Sequence, residues 1–460
     1  MRTPTGAGLS KRLLRAAVWS TVFVAGTGCA TVRSTFGSYA TGPDGIARSQ
    51  QRLREALVTG DFPRALAWRE DDALLQALTT GISAYHAKQF ARSAAVLDSA
   101  ALLADDRITA SLSKNGLSLV TNDMARPYQP RRTERLFIPY YAMLSYAQLG
   151  EWEDAAVEAR RLVGLLAQYG DDRDDAERGI HGVMQQLSGA VFERAGERDG
   201  ASVAYRAAQA LTGEHAPGAA RAVGADEGEV LLVMERGFVA HRATETMEIW
   251  LGDDDRDSLR LASHRKHGAP HAHHGRGDGY HLKVAFPSLR RSAQPWGGSV
   301  RLAVEGAEVS GNVASSVVDD ASEVDARRER VALITRSVAR AVTKYGVTKA
   351  IKDKKGEVAG RIANVGASLL ERADVRSWHL LPQELTLVRT RMPAGTRALH
   401  LQLGEGWAVR SVDVGSVTVR RGELTIVPVR LWTDPPPGSI VAPPAVIAET
   451  DGLCPTHLCP

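Results

Sequence analysis

Gly150-Glu151-Trp152-Glu153-Asp154-Ala155 repeats the pattern of Gly60-Asp61-Phe62-Pro63-Arg64-Ala65, with fainter copies at Lys88-Gln89-Phe90 and at Gly196-Glu197-Arg198-Asp199-Gly200-Ala201. Each copy reads as a turn between two helices, because the residues around it are rich in Ala, Leu and Arg with helical periodicity. Gly81 stands near such a turn with Leu97 and Ala100, and Gly189 stands near another with Phe192, Tyr205 and Ala208. Small residues let paired helices approach, and the aromatics fill the gaps between successive pairs. The recurring turn argues against an unrelated Ala-rich bundle.

This arrangement resembles the tetratricopeptide repeat, whose unit is two antiparallel helices in about 34 residues. The resemblance covers residues 50–212 and departs from the repeat in its irregular spacing, with an insertion between Leu103 and Thr133. It implies hairpins whose first helices line a concave face. Counting back from Lys88, Gly150 and Gly196 places Tyr85, Tyr140, Gln186 and Glu193 on that face as candidate partner-binding residues. Tyrosines offer a large contact area with a polar tip, as recognition surfaces do. Their alternative role is packing between helices. Trp152 is expected in the core.

Composition changes near residue 213. The stretch 213–228, with Pro217 and several Gly and Ala, reads as a linker, and Val-rich alternating runs follow it. Strands are expected at Glu229–Glu235, Phe238–Ile249, His281–Phe286, Ser299–Val304, Leu385–Arg391, Arg397–Leu403, Arg410–Val414, Val417–Arg420 and Thr425–Leu431. A helical insertion spans 322–372: one helix over Ser322–Tyr345, with Val331, Ile334, Val338 and Val342 as its apolar stripe, and a second over Val358–Arg372. The fold class is therefore α+β. Helical hairpins over 50–212 precede a β-sandwich-like domain over 229–433, and a Pro-rich tail occupies 434–460.

The amino terminus reads as an export signal. Arg2, Lys11, Arg12 and Arg15 form a basic head, Ala16–Ala25 is apolar, and Gly26-Thr27-Gly28-Cys29 closes the segment. The apolar run is too short for a membrane span, which needs about 20 residues. A cysteine directly after small residues resembles a lipobox, although Gly26 stands where such boxes usually have Leu. The expectation is a signal peptide over 1–28, acylation of Cys29 through diacylglycerol and palmitate-like chains, and an anchor linker over 29–49. The alternative is an ordinary secreted protein cut nearby, for instance after Ala30. Because Ala30 and not Asp follows the cysteine, resemblance to diderm lipoproteins points to the outer membrane.

Removing the signal also removes the charge excess. The chain has 57 basic against 53 acidic residues, and the four basic residues of the signal make up the whole difference. A nucleic-acid partner is therefore not expected, since phosphate binding needs a basic surplus. In an oxidising compartment Cys454 and Cys459 read as a disulfide. With His457 between them, zinc is the rival reading, one ligand short of a structural site.

Few residues suggest chemistry. Six of the 13 histidines fall between His264 and His281, and His271, His273 and His274 are candidate metal ligands. The same segment also reads as a polar loop, full of Gly, Arg and Pro. Ser111-Leu-Ser-Lys114 matches the Ser-x-x-Lys of penicillin-recognising enzymes, but it lacks the supporting Lys-Thr-Gly and sits among helical repeats. No phosphate loop, His-Glu-x-x-His or Gly-x-Ser-x-Gly occurs. No enzyme, cofactor or small-molecule substrate is expected.

Asp374-Val-Arg376-Ser-Trp378-His-Leu-Leu381-Pro382 leads from helix into strand. Pro382 prevents helix, Trp378 offers a large apolar area, and Asp374 can pair with Arg376 across the corner. Further elements are Glu134-Arg135-Leu136 running into Tyr140-Tyr141, Val157-Glu-Ala-Arg160-Arg161, Gly237 after a strand, Arg336–Tyr345, and Arg389 with Met392-Pro393-Ala394-Gly395. Together with the lipobox and the corner, these resemble a widespread, poorly characterised family of bacterial envelope lipoproteins with tetratricopeptide-like helices. The resemblance would cover most of residues 30–430. It implies a non-enzymatic adaptor of the cell envelope, often encoded beside a lipoprotein activator of penicillin-binding proteins. Its partners would be the membrane, through the lipid, and an envelope protein. The histidine loop and the cysteine tail stand outside that pattern, and a metal-binding protein or hydrolase using the loop is the alternative.

Overall fold

A computed structural model describes residues 47–433 apart from 114–125, 171–172, 214–223, 225, 252–259, 263–279, 293–298, 310, 356–372 and 406–408, together with 440–441. Contacts divide the chain into Met1–Glu55 and Ala56–Pro460. Helix α1 (Arg48–Val58) crosses that division, and the second unit holds all the other elements. Its class is α+β, with helices in the first half and sheets in the second.

The repeated turns have one geometry. After α1 comes the short α2 (Phe62–Leu66); the following helices are α3 (Ala73–His86), α4 (Phe90–Ser113), α5 (Arg132–Leu149), α6 (Trp152–Gln168), α7 (Asp175–Arg194) and α8 (Arg198–Thr212). Gly60, Lys88, Gly150 and Gly196 all adopt positive φ, at 74, 63, 77 and 81°. In each turn the next amide reaches back to a carbonyl five residues earlier, as Glu151 does to Tyr146 at 3.0 Å and Gln89 to Ala84 at 2.8 Å. The left-handed residue satisfies orphan carbonyls at the helix end and reverses the chain. Helix starts are capped from the sequence. Asp72 accepts from Leu74 N and Leu75 N, and Asp174 with Glu177 forms a reciprocal capping box on α7.

Within hairpins the small residues set the spacing. A Cβ on Gly81 would lie 2.6 Å from the Leu97 side chain, and one on Gly189 would lie 2.6 Å from the Tyr205 ring. Trp152 departs from expectation. It is half-buried, and the Arg194 guanidinium sits 4.7 Å from its ring.

The second half supplies strands β1 (Glu227–Arg236), β2 (His241–Leu251), β3 (Arg260–Ala262), β4 (Tyr280–Arg290), β5 (Val300–Val304), β6 (Ala307–Val309) and β7 (Asn312–Val317). After helix α9 (Val318–Lys355) come β8 (Glu384–Pro393), β9 (Gly395–Leu403), β10 (Arg410–Val419), β11 (Leu424–Leu431) and β12 (Ile440–Val441). A four-stranded sheet runs β11-β1-β8-β7, a five-stranded sheet runs β12-β10-β9-β5-β6, and β3-β2-β4 form a third. The two strands expected over 410–420 are one. Its bulge between Asp413 and Gly415 lets Gly415 take φ 91°, while its amide donates to Asp413 Oδ1 at 2.8 Å.

Strand β1 is buried on both faces. Val230, Leu232 and Met234 enter an apolar cluster with Leu399, Leu401, Leu403, Val412 and Val414 of the second sheet. The opposite face, carrying Glu229, Leu231, Val233 and Glu235, meets the helices through the bonds described below. The order of layers is thus helices, four-stranded sheet, five-stranded sheet. The helical and strand-bearing residues on either side of 213–228 fall in the same compact unit.

Candidate functional site

The groove expected along the first helices is filled by this chain's own sheet. Tyr140 is fully buried on α5, and its hydroxyl donates to Glu235 Oε1 of β1 at 2.8 Å; neighbouring Tyr141 donates to Oε2 at 3.1 Å. Arg430 of β11 lies directly opposite Glu235 in the parallel register and pairs with it at 3.3 Å. The same guanidinium donates to Gly237 O at 2.7 Å and sits 4.2 Å from the Trp432 ring. Trp432 in turn meets His86 of α3 edge-on at 4.6 Å, and Tyr85 meets Tyr141 at 5.2 Å.

Burial dominates the electrostatics here. It pushes the Glu235 carboxyl up despite the Arg430 charge and both tyrosine hydroxyls, and it pushes the Tyr140 and Tyr141 hydroxyls well above their ordinary value, with Glu235 adding to the effect. His86 is held well below its ordinary range, first by burial and then by the nearby Arg430 charge. It is therefore a neutral packing partner at physiological pH.

A second polar centre lies at the other end of β1. Glu229 faces Arg391 across the antiparallel register and accepts from its Nε at 2.9 Å. Arg389, buried on β8, donates to Glu229 and also to Glu193 of α7, the latter at 3.0 Å. Tyr205 of α8 completes the group, donating to Glu193 at 2.6 Å. Two carboxylates of one strand face therefore fasten two helical hairpins.

The corner 374–382 forms a third fastening. Arg376 pairs with Asp374 at 2.7 Å and donates to Arg126 O at 2.8 Å, and Trp378 is fully buried. The Trp378 amide donates at 2.9 Å to Glu134, which also accepts from Tyr128 OH and Arg131 N at 2.8 Å each. The Asp374–Arg376 pair and the buried tryptophan match the sequence expectation.

Of the proposed recognition residues, Tyr85, Tyr140 and Gln186 are buried, and Glu193 is engaged by Arg389 and Tyr205. They do not form an open binding face: Tyr140 and Glu193 are bonded to Glu235 and Arg389 of the sheet, and Tyr85 packs against Tyr141 and Phe90. Sequence reasoning missed Glu229 and Glu235, although two carboxylates at even spacing inside a Val-rich strand were a visible signal.

Cys29, Cys454, Cys459, His271, His273 and His274 lie outside the described residues. Among the described residues no group of three or more His, Cys, Asp or Glu is placed to hold a metal ion, and no helix is long and apolar enough to cross a membrane. Ser111 stands in the last turn of α4. Compared with protein-family models, curated proteins and solved structures, the chain matches none.

Proposed function

We propose that this chain is a bacterial envelope lipoprotein, acylated on Cys29, that works on the periplasmic side of the outer membrane as a non-enzymatic adaptor. The observation that carries the reading is Gly26-Thr27-Gly28-Cys29 after a basic head and a short apolar run. Two or three acyl chains hold a protein firmly, since each buried methylene contributes about 0.8 kcal/mol. The four turns of one geometry support hairpins of the tetratricopeptide kind and membership of the lipoprotein family described above. With Tyr140 and Glu193 already engaged by the sheet, an envelope protein partner would bind on the outer surface of the helices, where Val157 of α6 and Val203 of α8 are about half exposed.

Mass spectrometry of the mature amino terminus, on protein made in its own host, tests the anchor. An acylated cysteine is expected, and an unmodified terminus would overturn the reading. Crosslinking of the lipidated protein in intact cells should then capture a defined envelope partner. The six histidines between His264 and His281 favour a second reading, a metal-binding protein or hydrolase. Stoichiometric zinc that disappears when His271, His273 and His274 are replaced would support that reading over the adaptor.

A further inference from the structure

Ser377 stands in the corner that leads into the strands, and it is only 5% exposed. Its Oγ is buried and has no hydrogen-bond partner among the described residues. A buried hydroxyl is costly unless it is bonded, and most such groups find a partner in protein or in ordered water. Ser377 borders a cavity of about 20 Å³. Arg131 and Glu134 from the start of α5, Arg242 of β2, and Ser322 and Asp325 from the start of α9 line the same cavity.

The charges around this space balance, with two guanidiniums set against two carboxylates. Arg131 pairs with Glu134 and with Glu329 at 3.3 Å each, and Arg242 reaches Glu329 at 2.5 Å. An anion in the cavity would meet Glu134 and Asp325, and a cation would meet Arg131 and Arg242. Asp325 accepts from Thr133 N at 2.8 Å. Burial nevertheless lifts its carboxyl from 3.8 to about 6, against the pull of Thr133 and the Arg131 charge. The carboxylate is thus short of donors. The space therefore suits a small neutral group that both donates and accepts. A single water fits it, since one water needs roughly 10–15 Å³ and two to four polar partners.

We infer that the cavity is a binding site for one ordered water, which donates to the Asp325 carboxylate and shares a hydrogen bond with Ser377 Oγ. Ser322 Oγ and the two guanidiniums offer it further partners. The water ties the corner to α9 beside the bond by which α5 grips the same helix. It needs neither the acyl anchor nor an envelope partner, so it stands or falls apart from the proposed function.

Two measurements on the full chain test it. A high-resolution crystal structure should show a density peak about 2.5–3.0 Å from both Ser377 Oγ and an Asp325 oxygen. Soaking the crystals in rubidium bromide should leave that peak without anomalous signal. A dry cavity would overturn the proposal, and so would an anomalous peak there, which would mark an ion. The second measurement reads the sign of a substitution in urea unfolding. Ser377→Ala removes one partner of the water, and the unfolding equilibrium constant should rise about fivefold for the loss of one hydrogen bond. A hydroxyl with no partner would behave oppositely, since its removal relieves a buried polar group. An unchanged or lower constant would therefore also overturn the proposal.

Discussion

Tyr140 donates its hydroxyl to Glu235 at 2.8 Å across 95 residues of sequence, in a fully buried setting where Tyr141 and Arg430 complete the carboxylate's partners. This bond joins the helical hairpins to the sheet. Its strength rests on low local polarity, which strengthens a satisfied network and penalises one that has lost a member. Glu235→Ala leaves Arg430 charged and buried, so urea unfolding should show a loss of about 3–5 kcal/mol. Tyr140→Phe removes a single bond to a charged group while keeping shape, and should cost about 1.5–3 kcal/mol. If Tyr140→Phe proves neutral while a partner is lost, the residue belongs to an open recognition face after all.

Lys88 holds the left-handed position that Gly60, Gly150 and Gly196 hold in the sister turns, with φ 63°. A side chain there costs roughly 1–2 kcal/mol in contact with the following carbonyl. Glycine also loses more entropy on folding, which offsets part of the gain. Lys88→Gly should therefore raise the unfolding free energy by a net of about 0.5–1 kcal/mol, read as a higher thermal midpoint. Gly150→Ala should lower it by a similar amount. A midpoint unchanged in both variants would mean that these turns do not carry the strain assigned to them.

Gly189 meets the Tyr205 ring so closely that an added Cβ would lie 2.6 Å from it. The ring has little freedom to yield, because its hydroxyl is bound to Glu193 at 2.6 Å and receives Arg389 at 2.6 Å. Gly189→Ala should thus cost about 1–3 kcal/mol, the range of overpacked cores. Tyr205→Leu in the same chain should recover part of the packing loss. Failure of that recovery would place the damage elsewhere than the α7–α8 contact.

Much of this fold was legible. The turns could be read because glycine at a positive-φ position leaves a local mark, and β1, β8 and β11 because alternation or a Val-rich run does so. Strand β7, Asn312–Val317, was missed because Ala, Ser and Asn interrupt its two valines. Glu235 with Arg430 and Glu229 with Arg391 depend on which distant strands become neighbours, which periodicity cannot reveal. The inner helical face misled for a related reason. Buried tyrosines with polar tips look the same whether they await another protein or grip the chain's own sheet.

Asp325 offers a pH test with a definite sign. Its carboxyl on α9 accepts from Thr133 N at 2.8 Å, and burial raises it from its ordinary value of 3.8 to about 6, with Thr133 and the Arg131 charge opposing the rise. The folded state thus holds this proton more tightly than the unfolded chain. Stability from Asp325 is fully present below about pH 4 and is lost as pH rises through 6. Asp319 shifts in the same direction, to about 6. His181, lowered to about 4 mainly by burial, acts oppositely: its contribution is present above 6.5 and lost on acidification towards pH 4. The whole-protein curve therefore mixes signs, and a difference between variants is the cleaner measure. Asp325→Asn keeps an acceptor for Thr133 N and cannot ionise. Relative to the parent, its unfolding free energy should climb between pH 4 and 6 by at most about 3 kcal/mol, then level off. A flat difference over that range would show that Asp325 does not titrate as its surroundings require, and a falling one would reverse the sign of the burial effect.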